Sequence, residues 1–248
     1  MNRSIKLCVE MRDLPADGSM DACAWMEGAD ALVIDPSRCS WELFESIPVA
    51  RAVVLNGNPE RDGSWRETAD HWVCDHGLAA TARLRDLHPE LPWMPRLSVF
   101  RAQVSYRFSG AAVGEGFSFY MPDTSAIRGW QADGLSLETA LQRAKALGFA
   151  GLWLHSPEAA SRNRGLDLEL LEKIRGGCGA VWLSGGVGDA GHLRNLMREG
   201  GASAVVVDGA VAQACSLATL GEALVADKPR VEATPMTFAP RNRGPRRH

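Results

Sequence analysis

Short unbroken apolar runs alternate along this chain with segments of helical period, and that alternation restricts the fold more than any single motif. The runs are IKLCVEM (5–11), ALVIDP (31–36), RAVVLNG (51–57), HWVCDHG (71–77), AGLWLHS (150–156), AVWLSGG (180–186) and SAVVVDG (203–209). One further strand is expected within 96–122. A strand that is apolar on successive residues buries both faces, which points to a parallel sheet covered by helices. Helix patterns lie between the runs, among them SWELFES, GLAATARLRDL, SLETALQRAKALG and DAGHLRNLMREG. Ser136 and Asp189 are suited to start helices, and Gly148 and Gly200 to close them. Eight strands in 248 residues favour a single closed (β/α)₈ TIM barrel over an open sheet.

The two halves of the chain also align in order. ADALVIDPS (29–37) matches FAGLWLHSP (149–157), RAVVLNGNPE (51–60) matches GAVWLSGGVG (179–188), and HWVCDHGLAA (71–80) matches SAVVVDGAVA (203–212). A fourth pairing sets VEMRD (9–13) against FYMPD (119–123) and so places the fifth barrel strand near residue 120. A half-barrel repeat puts equivalent loops on opposite sides of one mouth.

Two regions break the pattern. Residues 96–121 are long enough for two strands around SGAAVGEG, so an inserted β-hairpin near strand five is expected. The tail 228–248 has four prolines and six Lys or Arg against one Glu, which reads as extended or disordered. The domain reading is a barrel over 1–227, carrying the hairpin, and then the tail. A net charge of −3 argues against general nucleic-acid binding, and no apolar run reaches membrane-spanning length. The N-terminus reads as a first strand rather than a signal peptide, so a cytoplasmic protein is expected. The six cysteines form no CxxC pair and read as reduced packing residues. No metal or cofactor is assigned.

Ser184, Gly185 and Gly186 follow one strand and precede a helix, and Asp208-Gly209 ends the next strand. Glycines there let backbone N–H groups approach an anion near a helix N-terminus. Asp208 works against this reading, because it adds negative charge where a phosphate would sit. Upstream, Arg128-Gly129-Trp130 feeds the helix that begins near Ser136. Arg128 and Trp130 fit either a planar clamp over a flat charged ligand or a packing lid with a solvated guanidinium.

The stretch from about Gly116 to Asp227 resembles the ribotide isomerase of histidine biosynthesis (ProFAR isomerase) and its sister, the cyclase subunit of imidazole glycerol phosphate synthase. AIRGWQ, GLSLETALQRAKALGFAGLWL, GLDLELLEKI, WLSGGVGDAGHLRNL and AVVVDGAV carry the resemblance. It implies a twofold barrel with phosphate sites at both ends of its mouth, and ligand contact by Arg128 and Trp130. It also implies acid–base aspartates at the ends of strands one and five. Strand one offers Glu10 instead. At strand five the alignments offer only Phe119 or Tyr120, of which the tyrosine can donate a proton. The glycine pair expected after strand three becomes Asn56-Gly57-Asn58, and His155-Ser156 stands after strand six. Asp13 and Asp123 fall beyond the strand ends and read as solvated.

The expected function is therefore a divergent isomerase-like barrel outside histidine biosynthesis. It would bind a phosphorylated small molecule and perform isomerase or lyase chemistry with Glu10, His155 and Tyr120. Barrels resembling this family also occur in the biosynthesis of one-carbon cofactors of the pterin and methanofuran type. The alternative is a non-catalytic barrel serving as a binding or assembly subunit. In that case the hairpin or the basic tail would contact a protein partner or a second copy.

Overall fold

The computed structural model describes residues 5–11, 24–45, 47, 49, 51–107, 113–121, 135–162, 164–174 and 179–225, with backbone alone at 24, 102–107, 113–121 and 135. Eight parallel strands close a barrel: β1 (Lys6–Met11), β2 (Ala31–Ile34), β3 (Ala52–Leu55), β4 (Ala69–Cys74), β5 (Trp93–Ser98), β9 (Gly151–His155), β10 (Ala180–Ser184) and β11 (Ala204–Asp208). Three further strands, β6 (Phe100–Arg107), β7 (Val113–Met121) and β8 (Leu135–Ser136), form a separate antiparallel sheet.

The apolar runs become strands for the reason their composition implies. Alternate residues such as Cys8, Val33, Val53, Trp153 and Val206 fill the barrel interior. Their neighbours, including Leu7, Leu32, Val54 and Leu154, pack beneath the outer helices. Trp153 and Trp182 meet inside the barrel with ring centroids 6.3 Å apart, and His71 stands edge-on to Trp182 at 5.1 Å. Cys8 is fully buried, and burial pushes its thiol up to about 12. Among the described residues, Cys8, Cys39, Cys74 and Cys215 form no disulfide.

The helices on the described segments are α1 (Trp41–Glu45), α2 (Leu78–Leu87), α3 (Leu137–Ala146), α4 (Pro157–Arg162), α5 (Leu168–Ile174), α6 (Ala190–Glu199), α7 (Gly209–Cys215) and α8 (Leu217–Ala223). Ser136 caps α3 by accepting from the Thr139 N–H at 3.2 Å, and Asp189 caps α6 by accepting from the His192 N–H at 3.1 Å. Gly148 and Gly200 follow α3 and α6 at φ +76° and +66°, conformations that L side chains rarely adopt. The short helices α4 and α7 are not apparent in the sequence, because PEAASR and GAVAQAC bury almost no apolar residue that would mark a helical period.

One correction matters for the site. The fifth barrel strand is Trp93–Ser98, not the stretch around residue 120. Tyr120 belongs to the antiparallel sheet, opposite Phe100 on one side and Ser136 on the other. Pro92 and Pro95 disguise β5 as a loop in the sequence. The proline is accommodated because β5 pairs with β4 through Trp93–Pro95 and with β9 only from Arg96 onward. Pro95 sits at the hand-over between the two ladders. The expected hairpin start at 96 falls with it, since Arg96–Ser98 are barrel residues. No helix among the described residues is long and apolar enough to cross a membrane. The tail 228–248 lies outside the described residues.

Candidate functional site

A pocket of about 390 Å³ opens at the C-terminal ends of β1, β9, β10 and β11. Glu10, His155, Ser184, Gly185, Gly186 and Asp208 line it. These six residues, taken from four strands as candidates, thus share one cavity. Gly209 lies beside it, where an added Cβ would come within 3.3 Å of the Glu10 carbonyl. Tyr120 lies off the barrel strands, as described above, and Arg128 and Trp130 fall outside the described residues.

The glycine turn after β10 is dictated by sterics as well as by any ligand. Gly185 and Gly186 have φ +96° and +90°. A Cβ on Gly185 would lie 2.3 Å from the Ser156 carbonyl oxygen, and one on Gly186 would lie 2.0 Å from that of Gly165. Gly186 instead accepts a hydrogen bond from the Gly165 N–H at 2.7 Å. The Gly188 N–H donates to His192 Nδ1 at 3.0 Å. Among the described residues, the N–H groups of Gly186 and Val187 have no hydrogen-bond partner. At the end of β11, Asp208 accepts from the Ala210 N–H at 2.9 Å. That carboxylate occupies a donor that an anion would otherwise use.

Across the barrel, Glu10 faces a residue the sequence reading missed. Arg96 of β5 reaches it with Nη1 3.3 Å from Oε1 and Nη2 3.4 Å from Oε2. Both side chains are nearly buried, at 11% and 13% exposure. The guanidinium also lies over the Trp153 ring, 4.5 Å from its centroid, where the π face attracts a cation. Arg96 Nε is buried without a hydrogen-bond partner among the described residues. The ladder places Arg96 beside Trp153, and Glu10 beside Val33. In the alignment of 29–37 with 149–157, Val33 matches Trp153. Arg96 therefore stands where the second half would repeat Glu10. The half-barrel repeat carries this signal, which becomes visible only with strand five at 93–98.

His155 ends β9, with Nδ1 2.9 Å from Ser184 Oγ. Ser184 Oγ also accepts the Trp153 indole N–H at 2.7 Å. Above this layer, Arg101 at the start of β6 binds Asp167 through two bonds of 2.6 and 2.9 Å and lies 3.0 Å from Glu169. These carboxylates, Asp167 above all, raise the guanidinium further above its ordinary range. Asp167 also accepts from the Leu170 N–H at 3.2 Å at the start of α5. The antiparallel sheet is thus tied to the same loop whose Gly165 supports the Gly186 turn.

The rim on the opposite side is built differently. After β3, Asn56 takes φ +54° and its side chain accepts from the Asp75 N–H at 3.1 Å. The Asn58 N–H donates to Asp62 at 2.7 Å, and the Glu60 N–H to Asn58 at 3.0 Å. No group of His, Cys, Asp and Glu among the described residues is arranged to hold a metal ion.

Residues 110–213 match the family model described as histidine biosynthesis protein. The matched stretch includes β7, residues Arg128 and Trp130, and three of the four strands around the pocket, β9, β10 and β11. No curated protein matches the chain.

Proposed function

We propose that this barrel, whose residues 110–213 match the histidine biosynthesis protein family, binds a phosphorylated small molecule in the β1–β9–β10–β11 pocket and acts on it by acid–base chemistry. One observation carries the reading: Glu10, His155 and the Gly185-Gly186 turn line a single cavity. The phosphate would take the N–H groups of Gly186 and Val187. Glu10 and His155 are the pocket's proton-transfer groups, as an isomerisation or elimination requires. Arg128 and Trp130 are proposed to clamp the ligand's flat portion.

The proposed chemistry lies outside histidine biosynthesis. The resemblance calls for carboxylates at the ends of strands one and five, whereas β5 carries Arg96 opposite Glu10. A guanidinium has no proton to exchange at neutral pH. The chain should therefore fail to restore growth to a histidine auxotroph lacking the isomerase, and normal growth would overturn this reading.

A second reading, a ligand-binding barrel without turnover, is favoured by the engagement of both Glu10 carboxylate oxygens by Arg96. Titration with inorganic phosphate and with small sugar phosphates, followed by calorimetry, tests what the two readings share. Saturable binding that disappears in Gly185→Ala supports the site, and binding that survives this substitution rejects it. Proton exchange from a bound ligand's carbon into deuterated water then separates catalysis from binding alone.

A further inference from the structure

Ser184 is 5% exposed and ends β10 between two aromatic side chains. Its Oγ accepts the Trp153 N–H at 2.7 Å. Trp153 has little freedom to turn away, being fully buried with Arg96 over its ring and Trp182 beside it. One lone pair of the hydroxyl is therefore committed. The hydroxyl proton needs an acceptor, because buried donors in folded proteins are almost always paired. Among the described residues the acceptor within reach is His155 Nδ1, at 2.9 Å. If the ring instead donated from Nδ1, Ser184 Oγ would accept twice and its own buried proton would be left without a partner.

We infer that Ser184, oriented by Trp153, donates to His155 Nδ1 and holds the neutral imidazole as its Nε2–H tautomer, so that His155 meets a ligand as a hydrogen-bond donor. Ser184 is then a positioning residue rather than a phosphate contact. The two proton-transfer groups of the pocket divide their roles accordingly. Glu10, a carboxylate, accepts, and His155 Nε2–H donates to an oxygen of the ligand. The donor role toward a ligand rests on the proposed function; the tautomer does not.

The test is a long-range proton–nitrogen correlation spectrum of the imidazole nitrogens in ¹⁵N-labelled protein, recorded where the rings are neutral. His155→Gln identifies the signals. In the wild type, Nδ1 should resonate as an unprotonated nitrogen and Nε2 as a protonated one. Ser184→Ala and Trp153→Phe should each draw the two resonances together as the tautomers mix, while Ser184→Thr keeps the wild-type pattern. A wild-type ring protonated at Nδ1 would overturn the inference, even if the variants fail to fold. An unchanged single tautomer in folded Ser184→Ala would overturn it as well. The spectrum requires no ligand, so a failure of phosphate to bind counts against the proposed function and leaves the tautomer to be judged separately.

Discussion

The loops after β10 and β3 align with one another in sequence, yet they are built on opposite principles. After β10, two glycines at positive φ turn the chain so tightly that neighbouring backbone fills the space a side chain would take. Gly186 and Val187 line the pocket, and their N–H groups have no hydrogen-bond partner among the described residues. After β3, asparagine and aspartate side chains take up the loop's own N–H groups. Gly57 is also in a different situation from Gly186. Its nearest would-be contacts are the side chains of Val54 and Trp72, at 2.4 and 2.9 Å, rather than backbone. One side of the mouth therefore leaves two backbone donors unused among the described residues, whereas the other spends its own on side chains. Under the proposed function the ligand carries its phosphate on the β10 side only, whereas the resemblance had implied phosphate sites at both ends.

The largest effect should come from the pair that joins the two sides. Arg96→Met leaves Glu10 buried without its counter-charge and should cost about 3–5 kcal/mol in urea melts. Adding Glu10→Gln to that variant should recover much of the loss. A small loss for Arg96→Met alone would mean that the barrel interior is wetter than its burial implies.

Next come the glycines. Gly186→Ala combines a strained φ with a backbone clash and should cost roughly 2–4 kcal/mol, with phosphate binding abolished. Gly57→Ala should cost about 1–3 kcal/mol through side-chain crowding, with phosphate binding intact. Loss of binding in Gly57→Ala would dissolve the contrast between the two sides.

Charge should separate the sides more gently. Asp208→Asn keeps an acceptor for the Ala210 N–H but removes a negative charge from the pocket wall. Phosphate should then bind several-fold tighter, about 1 kcal/mol by calorimetry. Asp75→Asn, across the mouth, should change nothing.

The smallest effect lies beneath both sides. Burial holds the His71 imidazole below its ordinary value of 6.5, and nearby Asp70 opposes the shift. Above that pH the ring is neutral whether the chain is folded or not. As pH falls through 6.5 the unfolded chain takes up a proton that the folded ring resists, so stability declines on the acid side. His71→Phe should flatten that part of a plot of melting temperature against pH.

Most of the barrel was legible in the sequence because burial on two faces leaves an unmistakable composition, as in ALVI, AVVL and AVVVD. β5 was not legible, since a strand interrupted by proline looks like a loop until its ladder partners are known. The misplacement carried over to the site. With strand five set near residue 120, Tyr120 stood in for a residue that the fold supplies as Arg96. Glu10, His155, Ser184, Gly185, Gly186 and Asp208 could be named as pocket candidates because each stands at or just past the end of a recognisable strand.

Sequence by itself determined the strand–helix alternation and the glycine turn, since these depend on residues close together in the chain. Tertiary structure alone decided that Arg96 faces Glu10 across 86 positions and that Trp153, Ser184 and His155 form one hydrogen-bonded row. Barrel closure brings such residues together, and its register depends on how all eight strands pair, which no local pattern encodes.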